Sequence, residues 1–316
     1  SWSARDLRVS LSAEVARAYL QLRALQAREA IARAELERQT QAQSIVASRV
    51  QAGFVSHLDL NQQAALTGQA AAAIPPLQAQ AREQIHALGV LLGQPPEAPI
   101  AELSPPAAAP PQPPAPPAGL PSDLLQRRPD IRAAERKAAA AVADIGVATA
   151  DLYPRISLTA SPSLVSTSLS NLVDWSSRNY SFGAGLVWPL FEGGRLKAQL
   201  AQANERQVQA VVAYRKTVLD ALKEVEDALA RLDADGARRA SLQAAVGQAA
   251  SGRAIALDQY RAGTVTYAGV LSADQGLHTA QDQLAQARAA EAQDLVALYK
   301  ALGGGWSQTD LQETKP

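Results

Sequence analysis

Hydrophobic and polar positions follow two different periods in the second half of the chain. From Arg155 to Ser161, Ile156, Leu158 and Ala160 alternate with Ser157, Thr159 and Ser161. From Tyr180 to Trp188, Tyr180, Phe182, Ala184, Leu186 and Trp188 share one face, and Ser181, Gly183, Gly185 and Val187 the other. A period of two predicts two β-strands. Between Arg195 and Arg261 there is no proline, and Leu222, Val225, Leu229 and Leu232 recur at 3-4-3 spacing. That spacing predicts a long helix with a coiled-coil-type seam, spanning about 100 Å if continuous. Ala262-Gly263 breaks it, and a helix returns from Tyr267 to Leu302, ending at Gly303-Gly304-Gly305. Upstream, Ser122 is a candidate cap for a short segment, Asp123–Arg127, and Asp130–Leu152 reads as a helix stopped by Pro154. The lengths fit a mainly α protomer: one long helix beside two shorter ones stacked end to end, with a β-hairpin at the top.

The first part of the chain repeats the second. A shift of 210 residues aligns Glu14–Gly93 with Glu224–Gly303 without a gap, giving 19 identities in 80 positions. Matched pairs include Glu14/Glu224, Leu22/Leu232, Gly53/Gly263, Leu88/Leu298 and Gly93/Gly303. Alanine pairs inflate the count, but the gapless register and the paired glycines point to an internal duplication. It predicts a first repeat over 1–93, incomplete at its start, and a second over 119–306. Within the second lie a hairpin at about 155–188, the long helix 195–261 and the return helix 267–302. Residues 94–118 form a Pro/Ala-rich linker, since 11 of the 19 prolines fall between Pro95 and Pro117, and residues 307–316 form a tail. Pro75-Pro76 stands inside the first repeat's return helix, where the second has Ala285 and Gln286, and predicts a kink or break there.

Composition narrows the function. Lys+Arg and Asp+Glu both number 30, so net charge offers no reason to expect nucleic acid as a partner. There are 67 alanines, 14 aromatic residues and no Cys or Met, which suits closely packed helices better than a thick globular core. Without Cys there is no thiolate metal site and no cysteine nucleophile. No apolar run is long enough for a membrane-spanning helix.

A lone two-stranded hairpin is barely stable. Alternation of apolar with small polar residues, beside Tyr153, Trp175 and Phe191, is the pattern of a transmembrane barrel strand. The same pattern also suits a hairpin covering a soluble core. Several sequence blocks bear on the choice: Gly119-Leu-Pro-Ser-Asp-Leu-Leu-Gln-Arg-Arg-Pro-Asp-Ile-Arg132, Pro154-Arg-Ile-Ser-Leu158 and Trp188-Pro-Leu-Phe-Glu-Gly-Gly-Arg195. Further blocks are Gln259-Tyr-Arg-Ala-Gly263 and Leu298-Tyr-Lys-Ala-Leu-Gly-Gly-Gly-Trp306. Together they resemble the TolC-like outer-membrane efflux channels, in particular the NodT-type lipoprotein branch.

That resemblance implies a homotrimer in the outer membrane of a Gram-negative bacterium, with a β-barrel in the lipid and an α-helical tunnel in the periplasm. It implies an exit duct for drugs or other small molecules, fed by an inner-membrane pump and a periplasmic adaptor, or membrane fusion protein. No reaction and no cofactor are implied. Tyr180, Phe182, Leu186 and Trp188 would then face outer-membrane lipid. The turns at Arg49, Gly53, Arg261 and Gly263 would be the adaptor-docking tips. The periplasmic gate would be drawn from Asp258, Tyr267, Ala268, Ser272 and Asp274. Relatives commonly carry Leu and Asp where this chain has Ala268 and Ser272; Asp274 lies about 200° around the helix from Ser272 and cannot simply replace it. With two strands per chain, three copies fall short of the family's barrel, so the first strand pair and lipidated Cys are expected before Ser1.

Other chemistry is sparse. Asp274, His278 and Asp282 share a helix face at metal-ligand spacing, but without a second His or a closing loop they read as a solvated face lining a wide aqueous tunnel, and no metal or catalytic site is expected. Glu192-Gly-Gly-Arg195 lacks the spacing and Lys of a phosphate loop and reads as a strand-to-helix junction. The competing readings are a soluble periplasmic coiled-coil adaptor and a soluble scaffold with the hairpin buried; cell fractionation separates them from a duct.

Overall fold

The computed structural model describes residues 2–95, 103, 127–167, 171 and 173–304. Most of the expected linker, the Ser122 cap, nearly all of the 123–127 segment and the 307–316 tail lie outside the described residues. The described elements are α1 (Trp2–Gln51), α2 (His57–Ala72), α3 (Ile74–Leu91), α4 (Pro129–Ala150), β1 (Arg155–Leu164), β2 (Arg178–Val187), α5 (Arg195–Arg261) and α6 (Tyr267–Ala301). A 3-10 turn, Trp175–Ser177, precedes β2. The protein is mainly helical. It divides into two compact units, one of Ser1–Pro129 with Asp220–Pro316, the other of Asp130–Leu219.

In the first unit α1 packs along α2, α3 and α6. Leu22 and Leu25 of α1 meet Ala81 and Leu88 of α3, with Val15, Tyr19, Leu77, Ile85 and Leu103 around them. A second cluster joins Val225 and Ala228 of α5 to Leu298 and Ala301 of α6. The expected α5 seam is corrected here. Ala221, Val225 and Ala228 are buried, whereas Leu222 and Leu229 are 37% and 45% exposed. Val225 and Leu232 hold their expected places, while Ala221 and Ala228 replace Leu222 and Leu229, so the spacing becomes 4-3-4; small alanines let α6 approach closely.

The proline pair interrupts the first return helix at Ala73, and Pro75 enters the first turn of α3, where a missing amide costs nothing. No such interruption divides α6. In the second unit, β1 and β2 form an antiparallel ribbon with Ile156 opposite Leu186 and Ala160 opposite Phe182. Both strands run further than the alternation alone predicted, β1 past Ser161 to Leu164 and β2 back to Arg178. Trp188 falls just beyond β2.

Candidate functional site: an amphipathic ribbon and two helix turns

The ribbon sorts chemistry by face. Cross-strand partners lie on one face, so Ile156/Leu186, Leu158/Ala184, Ala160/Phe182 and Pro162/Tyr180 form an apolar surface. Ser157/Gly185, Thr159/Gly183, Ser161/Ser181 and Ser163/Asn179 form the other. Every strand residue is exposed. Leu158 and Phe182 reach 85% and 81%, so the apolar face packs on nothing among the described residues. On the polar face a Cβ added at Gly185 would stand 3.0 Å from the Ser157 hydroxyl, while Gly183 has open space. A scaffold with this hairpin buried in the chain's own core is not what forms.

Below the ribbon, Gly193 and Gly194 both have positive φ, 56° and 84°, and the Arg195 guanidinium donates to Glu192 at 2.8 and 2.9 Å. The carboxylate in this junction repels phosphate rather than cradling it.

The two turns in the first unit share one backbone device. Gly53 N–H donates to the Val50 carbonyl and Phe54 N–H to that of Arg49, at 3.0 and 2.9 Å. Gly263 donates to Tyr260 and Thr264 to Gln259 at the same two distances. Each glycine has positive φ, 78° and 73°, so both helices end in a Schellman motif. Around this backbone the side chains form a cluster. Arg49 donates to the Tyr260 hydroxyl and lies 4.7 Å over its ring, and Tyr260 tilts against Tyr267 with centroids 5.3 Å apart. Burial, then the nearby Asp274 and Tyr260, push the Tyr267 phenol up to about 12. Arg261 pairs with Asp258 at 3.3 Å at the exposed end of α5.

The gate candidates separate. Ala268 and Ser272 are exposed on α6. Asp274 is buried on another face and accepts from Arg253 of α5, a partner that no local pattern in the sequence indicates. Of the spaced metal-ligand trio, Asp282 pairs with Arg28 of α1 at 2.6 Å, and Asp274 is taken by Arg253. The trio therefore shares no common centre. Further along α5 and α6, Asp294 meets Asp235. Burial first, and then that second carboxylate, push Asp294 up to about 6.

Residues 120–304 match the family model described as outer membrane efflux protein. The chain belongs to the outer membrane efflux protein family. It is 37% identical over 307 residues to the pyoverdine export outer membrane protein OpmQ of Pseudomonas aeruginosa, covering 96% of this chain and 63% of OpmQ. It is 33% identical over 304 residues to nodulation protein T of Rhizobium leguminosarum bv. viciae, covering 95% of this chain and 62% of that protein. The fold is similar to that of the outer-membrane channel OprN, with TM-score 0.86 and 37% identity over 96% of this chain and 68% of that one. This outer membrane efflux protein sequence thus spans a little under two thirds of such curated relatives. The family is described by efflux, OpmQ by export and OprN as an outer-membrane channel, in keeping with the resemblance to efflux channels.

Proposed function

We propose that this chain is part of a passive exit duct in the outer membrane, conducting small molecules outward from the periplasm as the channel of a tripartite efflux pump. The observation that carries this reading is the ribbon: in a chain of this family, the eight central residues of each paired strand, 156–163 and 179–186, are all exposed and divide into one apolar and one small polar face. The apolar face, with Tyr180, Phe182 and Leu186, meets lipid, and the polar face lines water. A homotrimer supplies the remaining surface, and Val208, Val212 and Leu219, exposed on α5, suit a helix of a neighbouring copy. The turns at Arg49, Gly53, Arg261 and Gly263 are the periplasmic tips that receive an adaptor, with exposed Phe54 and Leu58 beside the first. Ala268 and Ser272 line the constriction, which therefore carries no carboxylate at these positions. The shared turn geometry supports the duplication, which makes the two hairpins equivalent staves of one tunnel.

The test is assembly of the full-length protein. Leu186→Arg places a cation against hydrocarbon at a cost of about 2–4 kcal/mol per chain and is expected to deplete the outer-membrane fraction. Ser181→Arg, facing water, is expected to be tolerated. Equal tolerance of the two changes defeats the assigned faces.

A further inference from the structure

The membrane reading of the ribbon leaves open how its two edges are closed, and the backbone makes those edges unequal. Val165 N–H donates to the Ser177 carbonyl at 2.7 Å, in the same register as Arg155↔Val187 through Ser163↔Asn179. Bonded and non-bonded pairs alternate along an antiparallel ladder, so the odd-numbered residues of both strands bond across the ribbon. Even-numbered residues turn their amides and carbonyls to the outer edges. On β2 these are Arg178, Tyr180, Phe182, Ala184 and Leu186; the Arg178 N–H at the strand's end already donates to the Trp175 carbonyl, and the other four form an unbroken row of donors. On β1 they are Ile156, Leu158, Ala160, Pro162 and Leu164, and Pro162 has none.

Two strands alone cannot satisfy their edges, and hydrocarbon offers no water to do so. When identical ribbons stand in the same sense around one axis, the contact that closes the ring joins a β2 edge to a β1 edge. That contact is antiparallel, whereas like strands would meet parallel. The occupant of the β1 edge is therefore a β2-type strand of the neighbouring ribbon. Such a strand finds four outward donors on β1 and, at Pro162, a carbonyl of its own without a partner. We propose that the outer edge of β1 is the weak seam of the assembled barrel, docking an antiparallel strand of the neighbouring ribbon with one rung missing at Pro162. This inference rests on the membrane reading.

The experiment heats the full-length oligomer in detergent and follows its dissociation by gel mobility. Pro162→Ala restores the donor and is expected to raise the dissociation temperature by about 2–4 °C. Loosening the unfolded chain by removing a proline acts in the opposite direction, so a rise cannot come from that cause. Ala160→Pro opens a second gap on the same edge and is expected to lower the temperature. An unchanged or lowered value for Pro162→Ala overturns the seam while leaving the membrane reading intact. Absence of any β-rich oligomer from outer membranes overturns the membrane reading, and the seam with it.

Discussion

In the first hairpin α1 turns into α2 at Gly53, and in the second α5 turns into α6 at Gly263, 210 residues later. The helices end at Gln51 and Arg261, restart at His57 and Tyr267, and stop at Leu91 and Ala301, all in the same register. The interiors do not follow. Gln63, 1% exposed, donates from α2 to the side chain and carbonyl of Gln39, whose amide donates in turn to Glu35. At the matching places the second hairpin has Ala273, Ala249 and Ala245, and crosses its helices instead through Arg253–Asp274 and Arg239–Glu291. Leu25 and Ala81 sit in the first core where the second has Asp235 and Glu291. Backbone ends are set by few residues with strong local demands, chiefly a glycine with positive φ. Interiors are set by which side chains happen to meet across helices, and many combinations satisfy that.

The comparison breaks most clearly in the apolar clusters. Leu22 is fully buried, whereas its counterpart Leu232 is only partly so. Leu22→Ala is expected to destabilise the full-length protein by about 3 kcal/mol in denaturant unfolding, and Leu232→Ala by roughly a third of that. Equal losses would make the two hairpins energetically alike despite their different fillings.

A smaller difference lies at the helix starts. Ser56 caps α2 by accepting from Asp59 N–H at 3.3 Å, and the Asp59 carboxylate accepts from Ser56 N–H at 3.0 Å. These Ser56 bonds hold the Asp59 carboxyl below its usual range. Thr266 occupies the same place before α6 without a side-chain cap: the Gly269 N–H donates to the Thr266 carbonyl instead, and glycine has no carboxylate to complete a capping box. Ser56→Ala should cost about 1 kcal/mol by denaturant unfolding, and Thr266→Ala a few tenths at most.

The smallest expected effect is a pH dependence confined to the second hairpin. The Asp294 carboxyl is raised from 3.8 to about 6 by burial and by Asp235, with Arg231 and Arg17 opposing, and Gln84 stands in its place in the first hairpin. A folded pKa above the unfolded one means that the native state holds the proton more tightly. Its contribution is present below pH 3.8 and is lost as pH rises through about 6. Asp294→Asn should flatten the stability profile in that window while leaving the rest of the curve in place.

Much of the ribbon was legible in one dimension, because side chains on a strand must alternate and exposed strands need no partner to show it. The long helix was equally legible from its proline-free run. The α5 seam was only half so: Val225 and Leu232 lie in it as expected, but leucines at 222 and 229 advertise a face more loudly than alanines at 221 and 228, yet small residues win where two helices approach closely. The proline break was readable in position, while its consequence, a clean restart at Ile74, depended on Pro75 falling in a first turn.

What the sequence determined by itself is therefore local: the period of each element, the four glycines that end helices at 53, 93, 263 and 303, and the alternation that makes one ribbon face apolar. Only the tertiary structure decided that Asp274 is consumed by Arg253, that Arg49 stacks on Tyr260 from 211 residues away, and that Pro162 faces an outer edge. The reason is physical. A helix or strand period is enforced by the backbone within a few residues, whereas an ion pair, a ring stack or a hydrogen-bond parity exists only once distant segments have been brought into register.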